Sequence, residues 1–369
     1  MIDYKSMKSI RYRTPRLEVY TDRIRQNTQA IAGQCHKAGV SLACVTKVTA
    51  AHPAVAAAMV AGGADMLADS RIENLWKLRE AGLPGPFMLV RLPPVSRAAE
   101  VVEVADISLN SSFKTMQALG AAAVLQNRVH KVIIMIDVGD LREGVWPDKA
   151  VQLVKDASLI KGLEVIGLGC NLACYGGVIP SPENMKLLVD TVKTCRQATG
   201  LALPVICGGN SSGLPIMAEG RLPSDVNLYR VGEAIVLGRN VIDRSPWQGT
   251  RQDTFIAVAE VIEAETKPSV PIGDRGQDAF GGSQEFVDRG LRKRVICNIG
   301  RQDVVVDGIT PVEDGIIVLG GSSDHLILDV TDAVRDIKVG DEVAFYPGYG
   351  ALLALSTSEY VQKVVIAGN

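Results

Sequence analysis

Eight short apolar runs lie between residues 42 and 231, each followed by a helix-like stretch or its start, and they leave few architectures open to this chain. The runs are 42–47, 64–68, 87–91, 106–110, 131–138, 163–171, 203–208 and 226–231. Helical patterns fill the intervals near 53–62, 71–81, 95–104, 112–126, 147–160, 182–199 and 212–219, and another follows Asp22, a suitable N-cap. Parallel strands need crossover connections, and strictly alternating strands and helices supply them. Eight such units predict an α/β fold, a (β/α)8 barrel. A doubly wound open sheet is the rival. No G-x-G-x-x-G stands at a strand-to-helix turn, because Gly167-Leu-Gly169 lies inside a strand and lacks the third glycine.

Beyond about residue 250 the texture changes. Segments 255–263, 294–299, 315–319, 326–330 and 342–345 are short, β-branched and punctuated by Gly, Asp and Pro, which predicts a mainly β C-terminal domain. The division expected is a barrel over 1–240, with residues 1–20 able to join the β domain, and a β domain over 241–369. The Gly-, Pro- and Asp-rich run 268–290 reads as a long functional loop.

A net charge of −2 gives no electrostatic case for nucleic acid or an anionic membrane. The N-terminus lacks the apolar core of a secretory signal, and no apolar run is long enough to span a bilayer. Seven scattered cysteines suit reduced thiols, so the expectation is a soluble, cytoplasmic protein without a disulfide framework. Cys170 and Cys174 are four apart but have no second Cys/His pair at ligand spacing, so no metal site is expected.

In a barrel, chemistry collects at the carboxyl ends of the strands. There the sequence places Lys47, Asp69, Ser70, Arg91, Asn110, Arg142 after Asp137, Asn171, Asn210, Ser211, Ser212 and Arg230. Lys47 closes an apolar run, and a lysine amine in that position can form a Schiff base. The bland alternative is a lysine snorkelling to water. Gly208-Gly-Asn-Ser-Ser-Gly213 is a glycine-rich turn with two hydroxyls, suited to a phosphate. Arg230-Val-Gly-Glu233 ends the next strand with Gly232, whose bare backbone allows close approach to the same phosphate. A lysine at the first strand and a phosphate cradle at the last two fit pyridoxal 5'-phosphate. A phosphosugar aldolase would leave Arg230 and the β domain without a role.

These stretches resemble the fold-type III pyridoxal-phosphate enzymes, the alanine racemase superfamily, and most closely its ornithine racemase branch. The resemblance runs through CVTKVTAAHP (44–53), ADSRIENLWKL (68–78), IDVGDLREG (136–144), LGCNLACYGGVIP (168–180), CGGNSSG (207–213), YRVGEAIVLGR (229–239), SSDHLILDV (322–330) and residues 339–361. It implies that Lys47 holds the cofactor, and that Ser211, Ser212 and the backbone of Gly232 and Glu233 cradle its phosphate. Arg230 resembles the arginine at the ring nitrogen and Arg142 the one beside the ring hydroxyl. Asn171 stands where alanine racemases usually carry a histidine under the ring, Asn210 neighbours both elements, and Tyr360 resembles a late tyrosine that reaches the phosphate.

The implied activity is a racemase inverting Cα of a basic amino acid, ornithine first, through two-base proton transfer. Lysine or broad-specificity racemisation, a D-threonine-type aldolase and a non-catalytic carrier of the cofactor are the alternatives. Lys47 serves one face of Cα, and the opposite face needs a second acid/base. The family's usual tyrosines are missing: Pro268–Gly273 holds none, and Ala51 stands four residues after the lysine. Asp278, Cys297, Asp324 and His325 are the candidates in their place. The resemblance also implies a homodimer with active sites at the subunit interface.

Overall fold

The computed structural model describes residues 12–277, 280–283 and 285–366. They form two compact units, one spanning Thr21–Thr254 and the other built from the segments on either side of it. The first described elements are strand β1 (Arg16–Tyr20) and helix α1 (Thr21–Lys37).

Eight strands then alternate with helices. They are β2 (Ser41–Val45), β3 (Met66–Asp69), β4 (Phe87–Leu89), β5 (Ile107–Asn110), β6 (His130–Met135), β7 (Leu163–Gly169), β8 (Val205–Cys207) and β9 (Leu228–Val231). The helices following them are α2 (Pro53–Ala61), α3 (Ile72–Glu80), α4 (Ala98–Val104), α5 (Phe113–Leu125), α6 (Ala150–Ser158), α7 (Pro182–Thr199), α8 (Leu214–Ala218) and α9 (Glu233–Leu237). All eight strands pair in parallel, and β9 closes onto β2 with Arg230 opposite Ala43. Closure excludes the doubly wound sheet.

The apolar runs in the sequence follow from this burial. In β2 every residue after Ser41 is buried, because one strand face meets the barrel interior and the other the helices. Val45, Ala68, Met88, Leu109, Met135 and Cys207 share one interior cluster. Gly167 is needed for strand packing, since a Cβ there would stand 1.9 Å from the Val205 carbonyl oxygen of β8. Helix α7 is set by local chemistry. Ser181 and Asn184 form a reciprocal capping box at its start, Pro182 occupies the first turn, and Gly200 ends it at φ +72°.

The barrel unit continues past residue 240. Asn27 donates to the carbonyls of both Ile235 and Arg251, and the Thr254 hydroxyl donates to the Val236 carbonyl. These bonds fasten 241–254 to the barrel. Among the described residues no helix is long and apolar enough to cross a membrane.

The second unit contains β10 (Phe255–Pro268), β11 (Leu291–Cys297), β12 (Ile309–Pro311), β13 (Ile317–Gly321), β14 (Leu326–Asp329), β15 (Glu342–Pro347), helix α10 (Tyr349–Thr357) and β16 (Gln362–Ile366). The sheet runs β12-β15-β10-β11-β14-β13, and β1 pairs antiparallel with β10 and parallel with β16. Arg16 fixes β1 there, giving a bidentate ion pair to Glu342 (2.7 and 2.8 Å) and a bond to Glu18 (2.9 Å). Strands β12 and β16 and helix α10 add to the strands anticipated from sequence.

Candidate active site

The carboxyl ends of the barrel strands carry a connected set of polar side chains. Strand β2 ends at Val45, so Lys47 is not the last strand residue; it opens a short 3-10 turn and is exposed. The turn is held from below by Thr46. Its hydroxyl donates to the Asp69 carboxylate at 2.6 Å, while its carbonyl accepts from the amide and hydroxyl of Thr49. Ala50 and Ala51 follow at φ +49° and +50°, a left-handed pair that costs energy in non-glycine residues and sharply reverses the chain behind Lys47.

Asp69 is fully buried and committed to structure. One oxygen accepts from Thr46, and the other accepts from the Arg71 amide (3.0 Å) and the Asn74 side chain (2.9 Å). Burial pushes its carboxyl above the usual range against the pull of those bonds.

Across the mouth, the turn after β8 and the end of β9 are joined through Ser211. Its hydroxyl oxygen accepts from the amides of Gly232 (3.3 Å) and Ala234 (3.4 Å), leaving its O–H to donate. The Ser212 hydroxyl beside it is buried with no hydrogen-bond partner among the described residues. Asn210 shapes the turn by accepting from the Ser212 amide at 2.7 Å and donating to the Leu172 carbonyl at 2.8 Å. A Cβ on Gly232 would lie 3.1 Å from the Val45 carbonyl oxygen, so this cradle abuts the end of β2, two residues before Lys47. The Glu233 carboxylate pairs with Arg244. Burial raises its pKa, while Arg244, Lys47 and Arg239 lower it, which places the Lys47 charge within electrostatic reach of this loop.

Arg230 rises from β9 through the barrel interior and is 5% exposed. Its Nε donates to Cys207 Sγ (3.2 Å) and its Nη2 to the Cys170 carbonyl (2.6 Å) and Asn171 Oδ1 (3.5 Å). Among the described residues it has no carboxylate partner. A buried guanidinium answered only by neutral groups is unusual and suits a site that binds an electron-rich ligand. Asn171 Oδ1 also accepts from Asn210 at 3.1 Å, while its Nδ2 is buried without a partner among the described residues.

The loop after β6 supplies the remaining groups. Asp137 accepts from the amides of Gly139 and Leu141, and Asp140 accepts from those of Tyr175 (3.0 Å) and Val178 (3.1 Å), tying the β6 and β7 loops together. Arg142, partly exposed, donates to Glu143 Oε1 at 2.7 Å. Sequence reasoning passed over Glu143, although its place beside Arg142 inside the matched IDVGDLREG stretch was a signal.

Two unpartnered buried groups, Ser212 Oγ and Asn171 Nδ2, thus share a mouth with a free-standing lysine, an unpaired buried arginine and a glycine-backed cradle. That donor set fits a phosphorylated heteroaromatic ring carrying an aldehyde.

Residues 19–240 match the model of the alanine racemase N-terminal domain. The chain is 41% identical over 350 residues to a lysine racemase of Thermotoga maritima, covering 95% of this chain and 98% of that one. It is 40% identical over 353 residues to an ornithine racemase of Acetoanaerobium sticklandii, covering 95% and 99%. The chain belongs to the alanine racemase family. Its fold agrees: an alanine racemase from Streptomyces lavendulae superposes at a TM-score of 0.75 and 20% identity, over 97% of this chain and 99% of that one.

Within the alanine racemase family, the candidates for a second acid/base are placed as follows. Cys297 is a poor proton carrier, because it is fully buried in β11 and burial pushes its thiol up to about 12. In the turn between β13 and β14 Asp324 is exposed and His325 half-buried, with Asp324 Oδ1 2.9 Å from the Ser323 hydroxyl and 3.7 Å from His325 Nδ1. The Ser323 bond, then the His325 charge, hold Asp324 below the usual carboxylate range, which makes it a poor proton donor. Asp278 lies outside the described residues. Tyr360 is 71% exposed and belongs to the second unit.

Proposed function

We propose that this protein is a pyridoxal-phosphate-dependent racemase of a basic amino acid, ornithine or lysine, inverting its Cα. The carrying observation is near-equal identity, over almost the whole chain, to a lysine racemase and an ornithine racemase. That pairing supports a substrate with a terminal ammonium and leaves the choice between two chain lengths open. Among the two, ornithine is our first choice, on the strength of the IDVGDLREG, CNLACYGGVIP and SSDHLILDV stretches.

When bound, the cofactor supplies an electron sink that makes the Cα proton of the substrate removable. Lys47 is the amine that would hold it. With its amine free, Lys47 would hold or move the Cα proton on one face of the substrate. The O–H groups of Ser211 and Ser212 and the backbone around Gly232 and Glu233 would bind the phosphate. Arg230 would oppose protonation of the ring nitrogen, because two cations repel, and this favours return of the proton to Cα over transamination. Asn171 and Asn210 keep Arg230 in place. Arg142 would meet an anionic oxygen at the ring's other edge.

The second acid/base is assigned to a homodimer whose sites lie at the subunit interface, as the family resemblance implies. Mostly buried, unpaired thiols support a cytoplasmic location.

The test is incubation of the holoenzyme with single L-amino acids in deuterated water, following loss of Cα–H and of optical rotation together. Ornithine or lysine should exchange and invert fastest. Release of an aldehyde would favour Cα–Cβ cleavage, and absence of exchange with every basic amino acid would overturn the proposal.

A further inference from the structure

Arg142 has a partner that the proposed chemistry does not use. Glu143 Oε1 accepts from Arg142 Nη2 at 2.7 Å, and the two side chains differ in burial: Glu143 is 10% exposed and Arg142 39%. The buried carboxylate is therefore the fixed member of the pair and the guanidinium the steered one. Glu143 Oε2 is buried with no partner among the described residues, and neither side chain has a second ion-pair partner among them. A buried carboxylate with one bare oxygen is costly to leave without its single cation, so it holds that cation firmly.

The backbone around the pair is clamped. The Asp137 amide donates to the Val145 carbonyl, the Val145 amide donates to the Met135 carbonyl, and Asp137 Oδ1 accepts from Gly139 and Leu141. Gly144 makes the fold-back possible: its φ is +131°, and a Cβ there would meet the Asp137 nitrogen at 2.4 Å. Glu143 is also within electrostatic range of Cys170, on the neighbouring strand end. The Cys170 thiol is raised mainly by burial and then by Cys207, with Arg230 opposing and Glu143 and Asp137 adding to the rise. The carbonyl of that same Cys170 receives Arg230.

We propose that Glu143 is a positioning residue that holds the Arg142 guanidinium at the barrel mouth, where Arg142 meets an anionic oxygen of the bound cofactor or of the substrate. The proposal rests on the racemase reading above. It requires that Glu143 matter only through Arg142, so a double-mutant cycle is the test. Wild type, Glu143→Gln, Arg142→Gln and the double variant are compared in pyridoxal-phosphate dissociation constant, in the pH midpoint of the bound cofactor's absorbance, and in kcat and KM.

Glu143→Gln is isosteric and should leave the thermal midpoint within a few degrees of wild type. It should weaken one binding step by roughly tenfold. A rise in the cofactor dissociation constant, with a shifted absorbance midpoint, places the anionic oxygen on the cofactor; a rise in KM alone places it on the substrate. In the Arg142→Gln background, Glu143→Gln should add less than about twofold. Equal effects in both backgrounds would overturn the proposal, as would a Glu143→Gln protein indistinguishable from wild type. A wild-type protein that takes up no pyridoxal phosphate would instead sink the underlying cofactor reading, and this proposal with it.

Discussion

Acidification should destabilise the barrel through His130, and the effect can be sized from the structure. His130 begins β6 at 2% exposure, with Nε2 2.7 Å from the Ser108 hydroxyl, which also accepts from Asn110 Nδ2 at 2.9 Å. Burial lowers its pKa from 6.5 to about 4, with Asp106 pulling weakly the other way. The unfolded chain therefore takes up a proton before the native one as pH falls. Stability present above the unfolded pKa is lost as pH descends towards the folded value. A gap of about 2.5 units amounts to about 3 kcal/mol once both states are protonated, and about 2 kcal/mol of it is gone by about pH 5.

Urea titrations at about pH 7.5 and about pH 5 test this, with His130→Gln as the control that keeps a nitrogen near Ser108 but cannot be protonated. All three tryptophans, Trp76, Trp146 and Trp247, lie in the barrel unit, so their fluorescence follows the unfolding of the relevant part. Carboxylates protonate in both proteins, and the difference between the two isolates the histidine. Wild type should lose about 2 kcal/mol more than His130→Gln between the two pH values. Equal losses would refute the reasoning.

Two further outcomes bear on the cofactor site. Borohydride reduction of the holoenzyme should fix pyridoxal phosphate on the peptide containing Lys47, while Lys47→Ala should retain no reducible cofactor and lose at least about a thousandfold in activity; label on another lysine would refute the assignment. Gly232→Ala places a Cβ 3.1 Å from the Val45 carbonyl oxygen and 3.2 Å from its Cβ, which must push the cradle away from the end of β2. Cofactor affinity measured by equilibrium dialysis should fall roughly tenfold with the fold intact, and an unchanged affinity would remove Gly232 from the phosphate site.

The barrel was legible because parallel strands covered on both faces must be apolar throughout, so β2 to β9 stand out as runs between helical stretches. Their ends were less so. The run 42–47 looks like one strand, yet β2 stops at Val45, since Thr46 turns its hydroxyl to Asp69 and the chain bends into a 3-10 turn. Helix α10 went unread because YGALLALST is apolar without a clear polar face, and it sits between glycine-rich and β-like segments.

At the site, the strand-end places of Lys47, Arg230 and Ser211 were legible, because each closes or follows an apolar run; the roles given to them are those of the proposed function. Glu143 was not. An acid beside a loop arginine ordinarily reads as a solvated pair, which outweighed the signal of its place in the IDVGDLREG stretch; in the structure the loop folds back, with the Val145 amide on the Met135 carbonyl, and Glu143 is half-buried. The same logic separates Lys47 from the second proton carrier. Lys47 is fixed by elements close to it in sequence, so its neighbourhood announces it. A group that arrives across a subunit interface owes its position to the contact between subunits and to no local pattern, so a pairwise assembly, and not a strand end, is where its signal would lie.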